Sequence, residues 1–418
     1  LGIVTMPLME LSDINLLDMD RFAQGVPHEW FTYLRANAPI YKHPEPNGPG
    51  FWVITKYDDV VAVGKDGATY SSDGKRGGVV QLEEPAPGQP SFEGEGNLML
   101  TMDAPEHTRY RKLVNRGFTP RQMRMLEPHI RELTAQIIDQ VIEAGGCDYV
   151  VDVAAELPLQ VIAEMLGVPM EDRHKLFEWS NRMIGSQDPE YLVSQEEVMN
   201  AQVEMFMYAN QLAAMRREEP RDDIITALLN AEVDGDRLSE MDFNLFFLLI
   251  AVAGNETTRN SISHGIKAFC DFPDQYQLLV EDPTRSRLAT EEIVRWASPV
   301  MYFRRNVTKD TTLSGVDFKA GDKVAIYYIS ANRDEDKFDR PFEFDILRDP
   351  NEHVGFGGGG PHHCLGANLA RMEIYVLLEE MAKRVPAIER VGEAEPLRSN
   401  FIAGIKHMPV KYPAGQKS

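Results

Sequence analysis

Apolar residues recur at three- and four-residue spacing through most of the stretch from Pro120 to about Cys270, the period of helices that bury one face. Breaks fall at Gly145-Gly146, Pro158, Gly167-Val168-Pro169 and Pro220, so the stretch reads as a series of helices making a mainly α body. The last of the series predicts one long helix from Ser239 to about Cys270. It lacks proline and opens on a capping box, Ser239 with Asp242 three residues on. About thirty residues at 1.5 Å each reach about 45 Å, enough to cross the whole molecule. Its middle, Phe246 to Gly254, is apolar all round, which predicts burial. A further patterned helix runs from Ala367 to about Arg384.

Strand character is confined to short pieces. Phe51-Trp52-Val53-Ile54-Thr55 is β-branched and aromatic, with a helix-like segment starting at Tyr57, and Leu313 to Ile326 reads as strand, turn, strand. The fold class is therefore mainly α with small β-sheets (α+β). Residues 70 to 100, rich in Gly and Pro, form a long irregular loop that we assign to one wall of a substrate entrance. No internal repeat, low-complexity tract or clear linker interrupts the chain.

Composition narrows the class. The chain has 418 residues, 43% hydrophobic and 26% charged, which suits a globular protein with a large core. A net charge of −22 repels phosphate backbones and argues against nucleic acid as a partner. Cys147, Cys270 and Cys364 make no paired framework and suit a reducing cytoplasm. No signal peptide opens the sequence, and the apolar run Leu245 to Ala253 is about half a membrane span, so no transmembrane anchor is expected.

Candidate chemistry centres on Phe356-Gly357-Gly358-Gly359-Gly360-Pro361-His362-His363-Cys364-Leu365-Gly366. Four consecutive glycines remove side chains from the approach, so backbone can lie against a large planar ligand. Cys364 stands just before a helix N-terminus, whose free amides favour a thiolate and should lower the usual thiol pKa of about 8.5. Zinc is disfavoured, because no C-x-x-C partners complete a tetrahedral site.

This loop resembles the haem-binding loop of the cytochrome P-450 monooxygenases, with Phe356 one residue farther from the cysteine than in the commonest form. Ala253-Gly254-Asn255-Glu256-Thr257-Thr258 resembles the oxygen-activation motif of the same family's long central helix. The resemblance implies haem b with Cys364 as metal ligand, and Phe356, Gly358 and Gly366 shaping the loop around it. Ala253 and Gly254 would leave room for dioxygen, Thr257 would hydrogen-bond it, and Glu256 would relay protons. His107 and Arg111 in the segment Met102 to Arg111, Arg305, and His362 match the positions that neutralise the haem propionates. Leu100 joins the cofactor-binding set. Glu292 and Arg295 match the family's buried Glu-Arg pair, but Pro341-Phe342-Glu343-Phe344 carries Glu343 where an arginine often provides the third arm.

The motifs run from about residue 100 to Gly366 and imply one site, so we expect a single cytochrome P-450 domain over 1–418, with about 1–20 as an N-terminal extension. Apolar Phe246, Leu249, Ile250, Ala253, Met301 and Phe303 are assigned to the substrate pocket. The resemblance implies a monooxygenase, with O2 as co-substrate and electrons from NAD(P)H through a ferredoxin reductase and a ferredoxin. Arg109, Arg111, Lys112, Arg116, Arg121 and Arg124 offer a basic stretch for docking an acidic ferredoxin. Ala253 to Asn260 and Gly366 to Arg371 are similar to bacterial members that hydroxylate sterol side chains and methyl-branched lipids. An elongated apolar substrate attacked near a terminal methyl is expected, with a terpenoid hydroxylase, a peroxygenase and a non-enzymatic haem sensor as alternatives.

Overall fold

The computed structural model describes residues 9–84, 98–118, 120–185, 187–191, 194–221, 223–233 and 235–417. The expected entrance loop at 70 to 100 lies partly outside them, since 85–97 are not described.

The long helix is Glu240–Asp271, 32 residues, and its capping box forms as read: Ser239 Oγ accepts the Asp242 amide while Asp242 Oδ2 accepts the Ser239 amide, both at 3.1 Å. It runs through the body against Glu156–Met165, Arg173–Ile184, Gln195–Glu218, Ser286–Ala297 and Ala367–Arg384. Pro158 does not break the chain, contrary to the pattern. It falls in the first turn of Glu156–Met165, directly after the π-helical turn Val150–Ala154, whose altered bonding pattern takes up the missing amide. Gly145 and Gly167, at φ of 69° and 64°, take the left-handed backbone that ends their helices.

The early and late strands join. One sheet has the order Ile40–His43, Phe51–Ile54, Lys323–Tyr327, Tyr302–Val307, Tyr70–Ser71, with Lys323–Tyr327 parallel to Phe51–Ile54. The segment 313–326 is thus not one hairpin. Thr311–Leu313 pairs with Val316–Phe318 around Ser314 and Gly315, both at positive φ, and the chain then turns at Gly321 into the large sheet. Ile14 and Leu16 are buried with Phe31, Phe51 and Tyr327, so the chain enters the core well before residue 20.

Alternation along Tyr302–Val307 separates two tasks. Tyr302, Arg304 and Asn306 hold the carbonyls of Val80, Gln81 and Gly78 at 2.8, 2.6 and 3.0 Å, fixing the described first part of the expected entrance loop. Phe303 and Arg305 occupy the opposite face.

Candidate active site

The cysteine loop is built by its glycines, though not in the way the sequence suggested. Gly357, Gly359 and Gly360 have φ of 97°, 89° and 81°, open to glycine alone at little strain. The bare side of Gly358 faces the helix Tyr57–Lys65 rather than a ligand: an added Cβ would lie 3.1 Å from Val61 Cα. Around Gly366, by contrast, a Cβ would meet nothing within 4 Å. The loop closes where the Cys364 amide donates to the Phe356 carbonyl at 3.0 Å.

Cys364 is exposed although protein surrounds it closely, so its surface opens into an internal chamber. Its thiol pKa is pushed up, not down as expected. Burial outweighs the lowering influence of the Gly366 and Ala367 amides and of Arg111 and Arg371. The amides are placed as read, but without a metal they do not by themselves make a thiolate.

Four basic side chains gather at His362, two residues before Cys364. His107 and Arg111 stand one turn apart on Glu106–Val114, and the His107 and His362 rings lie 4.2 Å apart between centroids. Burial, then Arg305 and His107, push the His362 pKa down to about 3, and burial followed by Arg111 lowers that of His107. Arg305 is buried, donates to the Arg304 carbonyl at 2.8 Å and is also hydrogen-bonded with Tyr328. His107 Nε2 is buried without a hydrogen-bond partner among the described residues. Asp103 acts on His107 and Arg305, but its carboxylate is already bonded to Ser71 Oγ and the Ser72 amide at 2.5 and 2.8 Å. Two guanidiniums, that of Arg305 buried, beside an unpartnered His107 nitrogen call for anionic partners. Two haem propionates fit that need, and the Cys364 thiol fits the iron.

On the central helix, Leu249, Ala253 and Thr257 recur every four residues and keep some exposure, as do Leu248, Val252 and Gly254 between them. Phe246 and Ile250, placed with them by spacing, are buried in the core, Phe246 stacked on Tyr110 at 5.7 Å. Met301 is likewise fully buried, its amide held by the Phe401 carbonyl at 2.9 Å, while Phe303 is half-buried against Tyr328 and Phe401. Leu100 is half-buried in the turn Met99–Thr101. Gly254 does not widen the chamber: the space of its missing side chain is taken by Ile162.

Thr257 Oγ1 donates to the Ala253 carbonyl at 2.7 Å, a bond that loosens the helical ladder there. Glu256 leaves the helix on another side. It is buried, ion-paired with Arg259, and Arg259 also donates to Asn181 Oδ1 at 3.3 Å and lies 5.6 Å from the Phe177 ring. Burial raises the Glu256 pKa and Arg259 opposes that rise; its Oε1 has no hydrogen-bond partner among the described residues. Adjacent in sequence, the two residues point about 100° apart, so no direct contact joins them.

Glu292 and Arg295 are both 0% exposed and form a fork, Nε to Oε2 at 2.8 Å and Nη2 to Oε1 at 2.7 Å. The missing third arm is Arg348, whose Nε reaches Glu292 Oε2 at 3.1 Å, and Asn351 adds a bond at 3.0 Å. Glu343 points outward to Arg340. The contribution of 341–344 to Arg295 is instead backbone: the Pro341 carbonyl at 2.9 Å and the Glu343 carbonyl at 3.3 Å. Sequence reading also passed over Glu291, His353 and Arg371, which surround Phe356. An acid beside Glu292 and an arginine one turn beyond the start of the last helix carried no distinguishing spacing.

Comparison with known proteins gives the family. The family model described as Cytochrome P450 matches residues 287–385. The chain is 44% identical to a steroid C26-monooxygenase of Rhodococcus jostii (strain RHA1), covering 95% of this chain and 84% of that protein. It is 40% identical to a methyl-branched lipid omega-hydroxylase of Mycobacterium tuberculosis (strain ATCC 25618 / H37Rv), covering 97% and 96%. A Mycobacterium marinum cytochrome P450 solved in complex with pseudoionone superposes with a TM-score of 0.87 at 41% identity, covering 94% of this chain and 96% of that one. The chain belongs to the cytochrome P450 family and is a monooxygenase, an enzyme of haem and dioxygen. Among the described residues, no helix is long and apolar enough to cross a membrane.

Proposed function

We propose that the chain hydroxylates an elongated apolar substrate, a branched isoprenoid lipid or a sterol side chain, at or near a terminal methyl. The observation that carries the site is the basic group His107, Arg111, Arg305 and His362, which forms no ion pair among the described residues, beside an exposed Cys364. Haem b would sit there with Cys364 as ligand and its propionates on those four side chains, supplying dioxygen binding and oxygen-atom transfer to a C–H bond. The open stripe Leu249, Ala253 and Thr257, with Phe303, would form the apolar wall that orients the substrate and excludes water. Thr257 Oγ1, holding its proton toward the Ala253 carbonyl, would turn it into the chamber. Glu256, buried and partly unpartnered, holds a proton more readily than an exposed acid and would resupply Thr257 once released from Arg259.

The substrate class is supported by relatives named for steroid C26 and for methyl-branched lipids. Each buried CH₂ is worth about 0.8 kcal/mol, so long chains should outbind short ones. Electrons would come from NAD(P)H through a ferredoxin reductase and ferredoxin, in the cytoplasm, with the basic stretch Arg109 to Arg124 as the docking candidate. Titrating the haem-loaded protein with branched lipids, sterols, linear fatty acids and monoterpenes, and following the spin-state shift of the haem spectrum, tests the reading. The tightest response is expected for branched or sterol chains; a response to monoterpenes alone would overturn it.

A further inference from the structure

A connected set of side chains lies behind Phe356, outside the propionate group and unused by the proton path. His353 Nδ1 accepts the Gly355 amide at 3.1 Å, which leaves the ring proton on Nε2, and Nε2 donates to Glu291 Oε2 at 3.0 Å. Arg371 grips the same carboxylate with both arms, Nε to Oε1 at 2.7 Å and Nη2 to Oε2 at 2.9 Å. The guanidinium so held lies 4.4 Å from the centre of the Phe356 ring, with the His353 ring 5.7 Å away. Phe356 in turn anchors Cys364, whose amide donates to its carbonyl at 3.0 Å. The path from Glu291 to the cysteine therefore has three steps, through Arg371 and Phe356, each with fixed geometry.

The ordering matters electrostatically. Arg371 is the charge that packs on Phe356 in the cysteine loop, and Glu291 stands behind it as the counter-charge. Glu292, the next residue, turns away into the network of Arg295 and Arg348. Neighbouring acids on one turn thus serve two structures. Side chains of Arg371 and Glu291 retain 32% and 27% exposure, so solvent screens them in part. The bidentate fork and the ring face still hold the cation in one place.

We propose that Glu291, Arg371 and His353 form a positioning network that sets how strongly the Cys364 thiolate donates to the haem iron, and so sets the haem reduction potential. The proposal rests on Cys364 being the axial ligand. Reduction adds an electron, which a nearby cation favours and a nearby anion opposes. The two partners of the pair must therefore act with opposite sign.

The test is spectroelectrochemical titration of the haem-loaded full chain, wild type against Arg371→Met, Arg371→Lys and Glu291→Gln, with thermal unfolding measured in parallel. Arg371→Met should move the potential negative, Glu291→Gln should move it positive, and Arg371→Lys, which keeps the charge, should stay nearer wild type than Arg371→Met. A purely structural role would lower the unfolding temperature in every variant without this sign reversal. Potentials that move in one direction, or do not move, in a wild-type background showing the red-shifted Soret band of the reduced carbon monoxide complex would overturn the proposal alone. Absence of that band in the wild type would overturn the ligand reading and the proposal with it. If Arg371→Met does not retain haem, Glu291→Gln decides, being equal in size to the native residue.

Discussion

Glu292→Gln changes no volume and removes one charge from a site with no exposed surface. In the native protein this carboxylate accepts from both arms of Arg295, from Arg348, from Asn351 and from the Asp345 amide. The amide keeps a single acceptor oxygen and turns two donors toward donors, leaving Arg295 uncompensated in the interior. Breaking a buried pair in this way costs about 3–5 kcal/mol, a large part of a typical total stability of about 5–15 kcal/mol. Unfolding entropy of about 2.1 cal/mol/K per residue gives about 0.9 kcal/mol/K for 418 residues, so the expected fall in Tm is about 3–6 °C. Circular dichroism melts of the variant and of Lys319→Ala make the comparison. Lys319 pairs with Asp310 at 2.8 Å on the surface, 73% and 62% exposed, and its loss should shift Tm by less than about 1 °C. A Glu292→Gln shift as small as that of Lys319→Ala would refute the argument that the pair is held by burial.

Cys364→Ser should abolish the red-shifted Soret band of the reduced carbon monoxide complex; a band that persists removes Cys364 as the ligand. Thr257→Ala should keep haem and substrate binding but divert NAD(P)H equivalents to peroxide or water, and unchanged product per NAD(P)H in assays with surrogate redox partners would refute its role. Burial alone would raise the Glu291 pKa, but the hydrogen bonds from His353 and Arg371 and the Arg371 charge outweigh it and hold it at about 2. A folded pKa below the unfolded 4.5 means stabilisation that is complete above pH 4.5 and lost as pH falls toward 2, at most about 3 kcal/mol. Glu291→Gln should therefore flatten the acid limb of stability between those values, and equal slopes in urea titrations would contradict the assignment.

Local pattern carried the parts of this protein that local forces decide. The capping box at Ser239, the proline-free run after it and the period of the apolar residues determine the central helix, because helix initiation and burial of a face are read within a few turns. The glycine run before Cys364 marked the loop from sequence alone, but the positive φ of Gly357, Gly359 and Gly360 is seen only in the structure. Partners distant in the chain were another matter. That Gly254 makes room for Ile162, that Gly358 makes room for Val61, and that Arg348 rather than Glu343 completes the Glu292 network depend on elements meeting across roughly fifty to three hundred residues. Helical spacing placed Phe246 and Ile250 beside Leu249 and Ala253, but only the neighbours present at each level, Tyr110 among them, decide which of that face is covered. The direction of the Cys364 pKa shows the same division. Amides at a helix start are legible in sequence, whereas burial, which outweighs them, is a property of the assembled core.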